Sequence, residues 1–166
     1  IPAFQSEIWL YDTTTMTLTR ITSSVGRASV SPSLSDDGTK IAFQSSADFF
    51  GQGIPFHQFE VWLYDLTTMA LTRVTTASPA GRNSQAPHVS GDGTIIGFQS
   101  TSDFLGEGIL TNQLEIWLYD TAAMTLTRIT SGSAGSNSSF YASLSDDGSQ
   151  VAFQRNSATF PASENV

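Results

Sequence analysis

The chain has no cysteine, which excludes disulfides and thiolate metal sites and leaves its redox compartment open. It carries a single lysine, Lys40, and only two histidines, His57 and His88. Seven basic side chains face fifteen acidic ones, giving a net charge of −8. That balance argues against nucleic acid or an anionic membrane as partner, since both select for basic patches. No apolar run approaches the roughly 20 residues of a membrane-spanning helix, so membrane insertion is not expected. No signal-peptide pattern is present either. The sequence opens at Ile1-Pro2 inside a repeat, and a leader is expected to have been removed or never to have been part of this stretch. Charged residues make up only 13% of the chain, with Ser and Thr carrying much of the polarity. An apolar fraction of 39% and an aromatic fraction of 11% suffice for the core of one domain, residues 1–166. An acidic, cysteine-free, lysine-poor chain rich in Ser and Thr suits an extracellular, cell-surface or periplasmic bacterial protein better than a cytosolic one.

What is present is repetition. A sixteen-residue stretch, EIWLYDTTTMTLTRIT, occupies residues 7–22 and returns near-verbatim at residues 60–75 and 115–130. The first and third copies match at 14 of 16 positions, the first and second at 12. Each copy is two strand patterns around a polar turn, the signature of a hairpin. Pairing Asp12 with Thr17 puts Tyr11 opposite Leu18, Trp9 opposite Arg20 and Ile8 opposite Ile21. Alternation along a strand then places Ile8, Leu10 and Ile21 on one face and Trp9, Tyr11 and Leu18 on the other. Both faces are apolar, so the hairpin is expected to be covered on both sides. The Trp9/Arg20 pair, repeated as Trp62/Arg73 and Trp117/Arg128, predicts a guanidinium against an indole.

A second block lies between the hairpins, at residues 33–49, 89–104 and 143–160. It reads as a short strand, an Asp-Gly turn (Asp37-Gly38, Asp92-Gly93, Asp147-Gly148) and a second strand ending in Phe-Gln. Asp-Gly between alternating apolar residues is a strong hairpin signal, because the turn needs φ > 0. Each repeat thus holds four short strands, A and B from this block and C and D from the Trp hairpin. The D-to-A segments (23–31, 76–87 and 131–140) are rich in Gly, Ser and Ala and read as loops. The B-to-C segments keep a shared pattern, Asp-Phe-Phe-Gly-Gln-Gly-Ile at 48–54 and Asp-Phe-Leu-Gly-Glu-Gly-Ile at 103–109. No helix of useful length is expected.

Four antiparallel strands with two apolar faces describe a β-propeller blade stacked between neighbours, so the fold class is all-β. The Ser-x-Asp-Gly strand block, followed by Glu-Ile-Trp-Leu-Tyr-Asp and Leu-Thr-Arg-Ile-Thr, resembles the TolB-type, WD-repeat-like propeller repeat over nearly the whole chain. The resemblance implies a propeller whose usual blade number is six. The chain departs from that pattern in lacking the proline of Ser-Pro-Asp-Gly, with Pro32 placed earlier, at the start of strand A. Its B-to-C loop is also longer than usual.

Three repeats, beginning near residues 7, 60 and 115, do not close a ring of the usual four to eight blades. The order matters more than the number. The chain starts with a C–D pair and finishes with an A–B pair, leaving two whole blades (29–75 and 87–130) between complementary halves. One copy's A–B pair could complete the next copy's C–D pair by strand addition. Such a head-to-tail contact gives a closed ring or an open filament; a third possibility is a fragment of a longer repeat array. The interface would use Ile8, Trp9, Leu10, Tyr11, Leu18 and Ile21 with Leu144, Val151 and Phe153.

Residues able to carry chemistry are few. His57 and His88 do not recur between repeats, and nothing resembles a nucleophile elbow, so no enzyme and no cofactor are expected. Asp36/Asp37 and Asp146/Asp147 could offer hard oxygen ligands to calcium, yet Asp before Gly is what the turn itself needs. The Asp12/Asp65/Asp120 and Arg20/Arg73/Arg128 sets could line a rim or serve as polar pairs within each blade. Phe49, Phe50, Phe104 and Leu105, in the B-to-C loops, are candidate contact residues that could equally fold back to cap their blade. A glycan or another protein is an alternative partner to a second copy. Asn137-Ser138-Ser139 is a lone glycosylation sequon.

Overall fold

A computed structural model of the chain describes residues 5–76, 81–131 and 138–156. Asn137, the acceptor residue of the sequon, lies outside them. Twelve strands are present among the described residues, and they sort into the four sheets that the repeat pattern demands. Strands β1 (Trp9–Asp12) and β2 (Thr17–Arg20) form a two-stranded sheet. The first whole blade is β3 (Ser29–Leu34), β4 (Lys40–Ser45), β5 (Glu60–Asp65) and β6 (Ala70–Arg73), paired in that order. The second is β7 (Ser84–Val89), β8 (Ile95–Ser100), β9 (Glu115–Asp120) and β10 (Thr125–Arg128). Strands β11 (Ser139–Leu144) and β12 (Val151–Arg155) make the last two-stranded sheet.

Local chemistry explains the hairpins. In the β1–β2 turn the Asp12 carboxylate accepts the backbone N–H groups of Thr14 at 2.7 Å and Thr15 at 3.1 Å, and Met16 closes the turn at φ 55°. Asp65 with Met69 and Asp120 with Met124 repeat the device. The register follows: Asp12 opposite Thr17, Tyr11 opposite Leu18, Trp9 opposite Arg20. At the A–B turns Gly38, Gly93 and Gly148 take the positive φ that the Asp-Gly signal predicts.

Strand A differs from its expected form. It begins earlier, at Ser84 rather than Pro87 in the second blade, and each copy carries a bulge. Ser31, Ala86 and Tyr141 sit at positive φ, and the pairing slips between Val30 and Ser33, Gln85 and His88, Phe140 and Ser143. Pro32 and Pro87 therefore lie within their strands, not at the start. A bulge leaves one residue out of the ladder, which is where a strand tolerates a residue without an N–H.

The blades stack face to face. Ala42, Val61, Leu63 and Val74 of the first whole blade pack against Ile96, Phe98, Trp117 and Tyr119 of the second, with Leu126 partly buried beside them. The opposite face of the first whole blade, Ile41, Phe43 and Trp62, packs against Ile8, with Leu10 and Ile21 alongside. Repetition of a single sheet-on-sheet contact thus builds the core. Adjacent blades are also tied near the A strands. The N–H of Ala86 donates to Gln44 Oε1 at 2.7 Å, and that of Tyr141 donates to Gln99 Oε1 at 3.0 Å.

Candidate functional site

The residues expected at the interface lie on the two half blades, and their surroundings separate them from their internal equivalents. Trp62 and Trp117 are fully buried, whereas Trp9, in the same sequence context, is 52% exposed. Phe43 and Phe98 are fully buried, whereas Phe153 is 38% exposed. Tyr11 and Leu18 are also exposed, while Ile8 is buried and Leu10 and Ile21 are partly buried against the first whole blade. Leu144 is buried and Val151 partly so. One face of the Trp9 hairpin is therefore covered as expected. The face bearing Trp9, Tyr11 and Leu18 is bare, because among the described residues no preceding blade is stacked against it, whereas Trp117 and Tyr119 rest on the first whole blade.

The edges match the faces. In each whole blade, strand B pairs with strand C: Phe43 opposite Trp62 and Ile41 opposite Tyr64, then Phe98 opposite Trp117 and Ile96 opposite Tyr119. Among the described residues β1 pairs only with β2, and β12 only with β11. Among the described residues, the B-type edge of β12 and the C-type edge of β1 have no counterpart of the neighbour that their internal equivalents have.

The B-to-C loops split the candidate contact residues. Phe49 stands edge-on to Trp62 at 4.9 Å between ring centroids, and Phe104 repeats this against Trp117 at 4.9 Å. These two cap their own blades. Phe50 and Leu105 are more than half exposed, although Phe50 also leans on Trp62 at 5.6 Å. Each loop is held from within. The Asp48 carboxylate accepts the N–H groups of Gln52, Gly53 and Ile54, as Asp103 does for Glu107, Gly108 and Ile109. Burial pushes the Asp48 carboxyl up, but these donors outweigh it and hold it below its usual range.

The aromatic loops change the expected arginine contact. Arg20 lies over the Trp9 ring at 5.9 Å, but at Trp62 Phe49, edge-on, and Phe50, tilted, pack against the indole instead. Arg73 bonds Glu60 at 3.0 Å, and Arg128 bonds Glu107 at 2.8 Å. The arginines are thus polar ties within a blade at these two copies. Asp12, Asp65 and Asp120 serve their turns in the same way.

A polar cluster not foreseen among the candidate residues sits at the base of each Trp hairpin. Glu60 and Glu115 are fully buried. Glu60 accepts from Gln58, Arg73 and Thr75, and Glu115 accepts from Gln113 and Thr130. Glu7, Gln5, Arg20 and Thr22 repeat the cluster at the first half blade. The signal was legible: Gln-x-Glu, followed by Arg-x-Thr thirteen residues after the Glu, recurs in all three copies.

The other polar candidates serve local structure. Asp37 and Asp147 accept from the hydroxyl of the serine two residues earlier and from the N–H and hydroxyl two residues later, which is turn chemistry. Among the described residues no three His, Asp or Glu side chains converge as a metal set. His57 is exposed, with its ring 4.3 Å from Phe56, and His88 Nδ1 accepts the N–H of Leu144 at 3.3 Å. No helix among the described residues is long and apolar enough to cross a membrane.

This is the repeat architecture of a TolB-type β-propeller, and solved structures bear the likeness out. TolB from Acinetobacter baumannii is 27% identical with a TM-score of 0.61, over 92% of this chain and 33% of that one. A TolB-type protein from Agrobacterium tumefaciens is 22% identical with a TM-score of 0.65, over 95% of this chain and 48% of that one. The tricorn protease matches at 14% identity and a TM-score of 0.58, over 87% of this chain and 12% of its own, a likeness of fold alone. The chain thus spans a third to a half of the TolB structures it matches. No protein-family model matches it, and no curated protein does.

Proposed function

We propose that the chain is a non-catalytic propeller module for protein–protein interaction, acting outside the cytoplasm, whose copies join head to tail by completing each other's half blades. One observation carries this reading. The same Trp and Phe positions that are fully buried inside the chain are half bare at its two half blades, on edges that match as strands B and C. A sheet edge flanked by apolar side chains is a template for another strand. The TolB resemblance supports a periplasmic setting and an interaction role.

The test is the mass of the purified chain in solution by light scattering across a hundredfold range of concentration. Assembly predicts multiples of 17.8 kDa that dissociate on dilution. A folded species that stays at 17.8 kDa throughout would sink the reading.

A second reading is favoured by the chain's span of one third of a TolB structure. Flanking blades of a longer polypeptide would then complete the halves, as part of a TolB-like adaptor. A longer polypeptide that carries those blades and remains monomeric would favour it.

A further inference from the structure

We infer that the assembly is a closed ring of two copies, six blades in all, with a defined strand register and three sets of contacts at each junction. This rests on the head-to-tail reading above and specifies its partner surface.

The ring size follows from strand counting. On the head-to-tail reading, the twelve strands of the described residues make three blades' worth per copy, and each junction repeats the blade-to-blade step already present inside the chain. Propellers close at four to eight blades. Six is the one multiple of three in that range, so two copies close the ring. The contact is heterologous and its rotation terminates.

The register follows from the two internal junctions between strands B and C. Lys40 lies opposite Asp65, Ile41 opposite Tyr64 and Phe43 opposite Trp62; Ile95, Ile96 and Phe98 repeat this against Asp120, Tyr119 and Trp117. Transferred to the half blades, Gln150 of one copy faces Asp12 of the second copy. Val151 then faces the second copy's Tyr11, and Phe153 the second copy's Trp9.

The bare face gains a floor. Inside the chain, Trp117 and Tyr119 rest on Ala42, Val61, Leu63 and Val74 of the preceding blade. The equivalents of those four are Gly97, Ile116, Leu118 and Ile129. Leu118 is partly exposed and Ile129 39% exposed, on the face that β11–β12 covers only in part. The second copy's Trp9, Tyr11 and Leu18 would cover the rest.

The polar tie also has a counterpart. Gln44 and Gln99 each accept the N–H of the bulge residue in the following blade, Ala86 and Tyr141. Gln154 is their equivalent and is exposed, and Ser31 is the bulge residue awaiting such a contact in the second copy. This bond fixes the register against a one-residue slip, which would turn every side chain to the wrong face.

The native absence of cysteine supplies the experiment. In Asp12→Cys/Gln150→Cys the two thiols should lie on directly opposed residues, within the Cα separation of a disulfide. Mild oxidation should yield a species of two chains with both thiol pairs consumed and no larger product. Asp12→Cys/Val151→Cys, one register step off, should link at least tenfold more slowly. A ladder of higher multiples would overturn closure while leaving head-to-tail assembly standing. Equal rates for the two pairs would overturn the register alone. A monomer whose own two thiols join would overturn the exchange between copies. Light scattering on the unsubstituted chain keeps the test readable if a cysteine variant folds poorly: two copies are expected, and one copy or an open series overturns the ring.

Discussion

Truncating Trp9 and truncating Trp62 should give opposite signatures, although both residues sit in the sequence Trp-Leu-Tyr-Asp. Trp62 is fully buried beneath Phe49 and Phe50, so Trp62→Ala should destabilise the fold by about 3–5 kcal/mol. Trp9 is 52% exposed in the single chain. A buried Trp removes about 200 Å² from water, so assembly would cover about 100 Å² more of it, worth about 2.5 kcal/mol at 25 cal/mol/Å². Trp9→Ala should therefore weaken each junction by roughly fiftyfold, since about 1.4 kcal/mol is a factor of ten. The loss of its covered half should cost the single chain about as much again. The assay is sedimentation across a concentration series, paired with thermal unfolding at a concentration where the wild type is assembled. Trp9→Ala should dissociate at concentrations where Trp62→Ala, if folded, still assembles. Unchanged association in Trp9→Ala would refute the argument that the bare indole is a junction residue.

Other outcomes follow from the same geometry. Asp48→Ala frees the N–H groups of Gln52, Gly53 and Ile54, and should cost about 1.5–3 kcal/mol while shifting Trp62 fluorescence to the red as Phe49 lifts away. Removing Glu60, for instance as Glu60→Ala, leaves the largely buried Arg73 guanidinium with neutral acceptors only, Thr75 O and Gln52 Oε1, and should cost about 3 kcal/mol in urea unfolding, against markedly less for Glu7→Ala beside the more exposed Arg20. At Gly97 an added Cβ would already stand 3.3 Å from Ala142 Cβ, so Gly97→Leu should cost about 1–3 kcal/mol and loosen β11–β12 in proteolysis. Stability should also fall on acidification between pH 4 and pH 2. The Thr67 hydroxyl, then the Thr68 and Thr67 N–H groups, hold the Asp65 carboxyl down at about 2, and the Ser145 hydroxyl with Ser149 does the same for Asp147. A carboxyl depressed in the folded state binds fewer protons than in the unfolded chain, so its stabilisation is present above the unfolded value and lost as pH falls through the folded one. A melting temperature flat across that window would contradict the turn assignment.

Much of this was legible in the residues because the repeats are nearly identical. The hairpin register came from pairing Asp12 with Thr17 across the turn, and the structure has that pairing, with Ala70 taking the place of the Thr opposite Asp65 in the second copy. The Asp-Gly turns were equally plain, since glycine at positive φ is a local requirement. The bulges were not. Ser31, Ala86 and Tyr141 share no residue type that signals φ > 0, and the cause is the register with strand B, which no local pattern encodes. The split between Phe49 and Phe50 was hidden for a similar reason. Both are adjacent apolar loop residues, and residue type does not say that Phe49 packs edge-on to Trp62 while Phe50 stays half exposed. The buried glutamates were overlooked because a charged residue beside a strand reads as exposed until its Gln, Arg and Thr partners are counted together.

The central claim, that another copy completes the two half blades, is met most directly by hydrogen exchange at single-residue resolution on the assembled chain. The outward-facing amides of β1 and β12 should be as protected as those at the β4–β5 and β8–β9 junctions, and should lose that protection on dilution. Rapid exchange along both edges at every concentration, with β4 and β5 still protected, would contradict it.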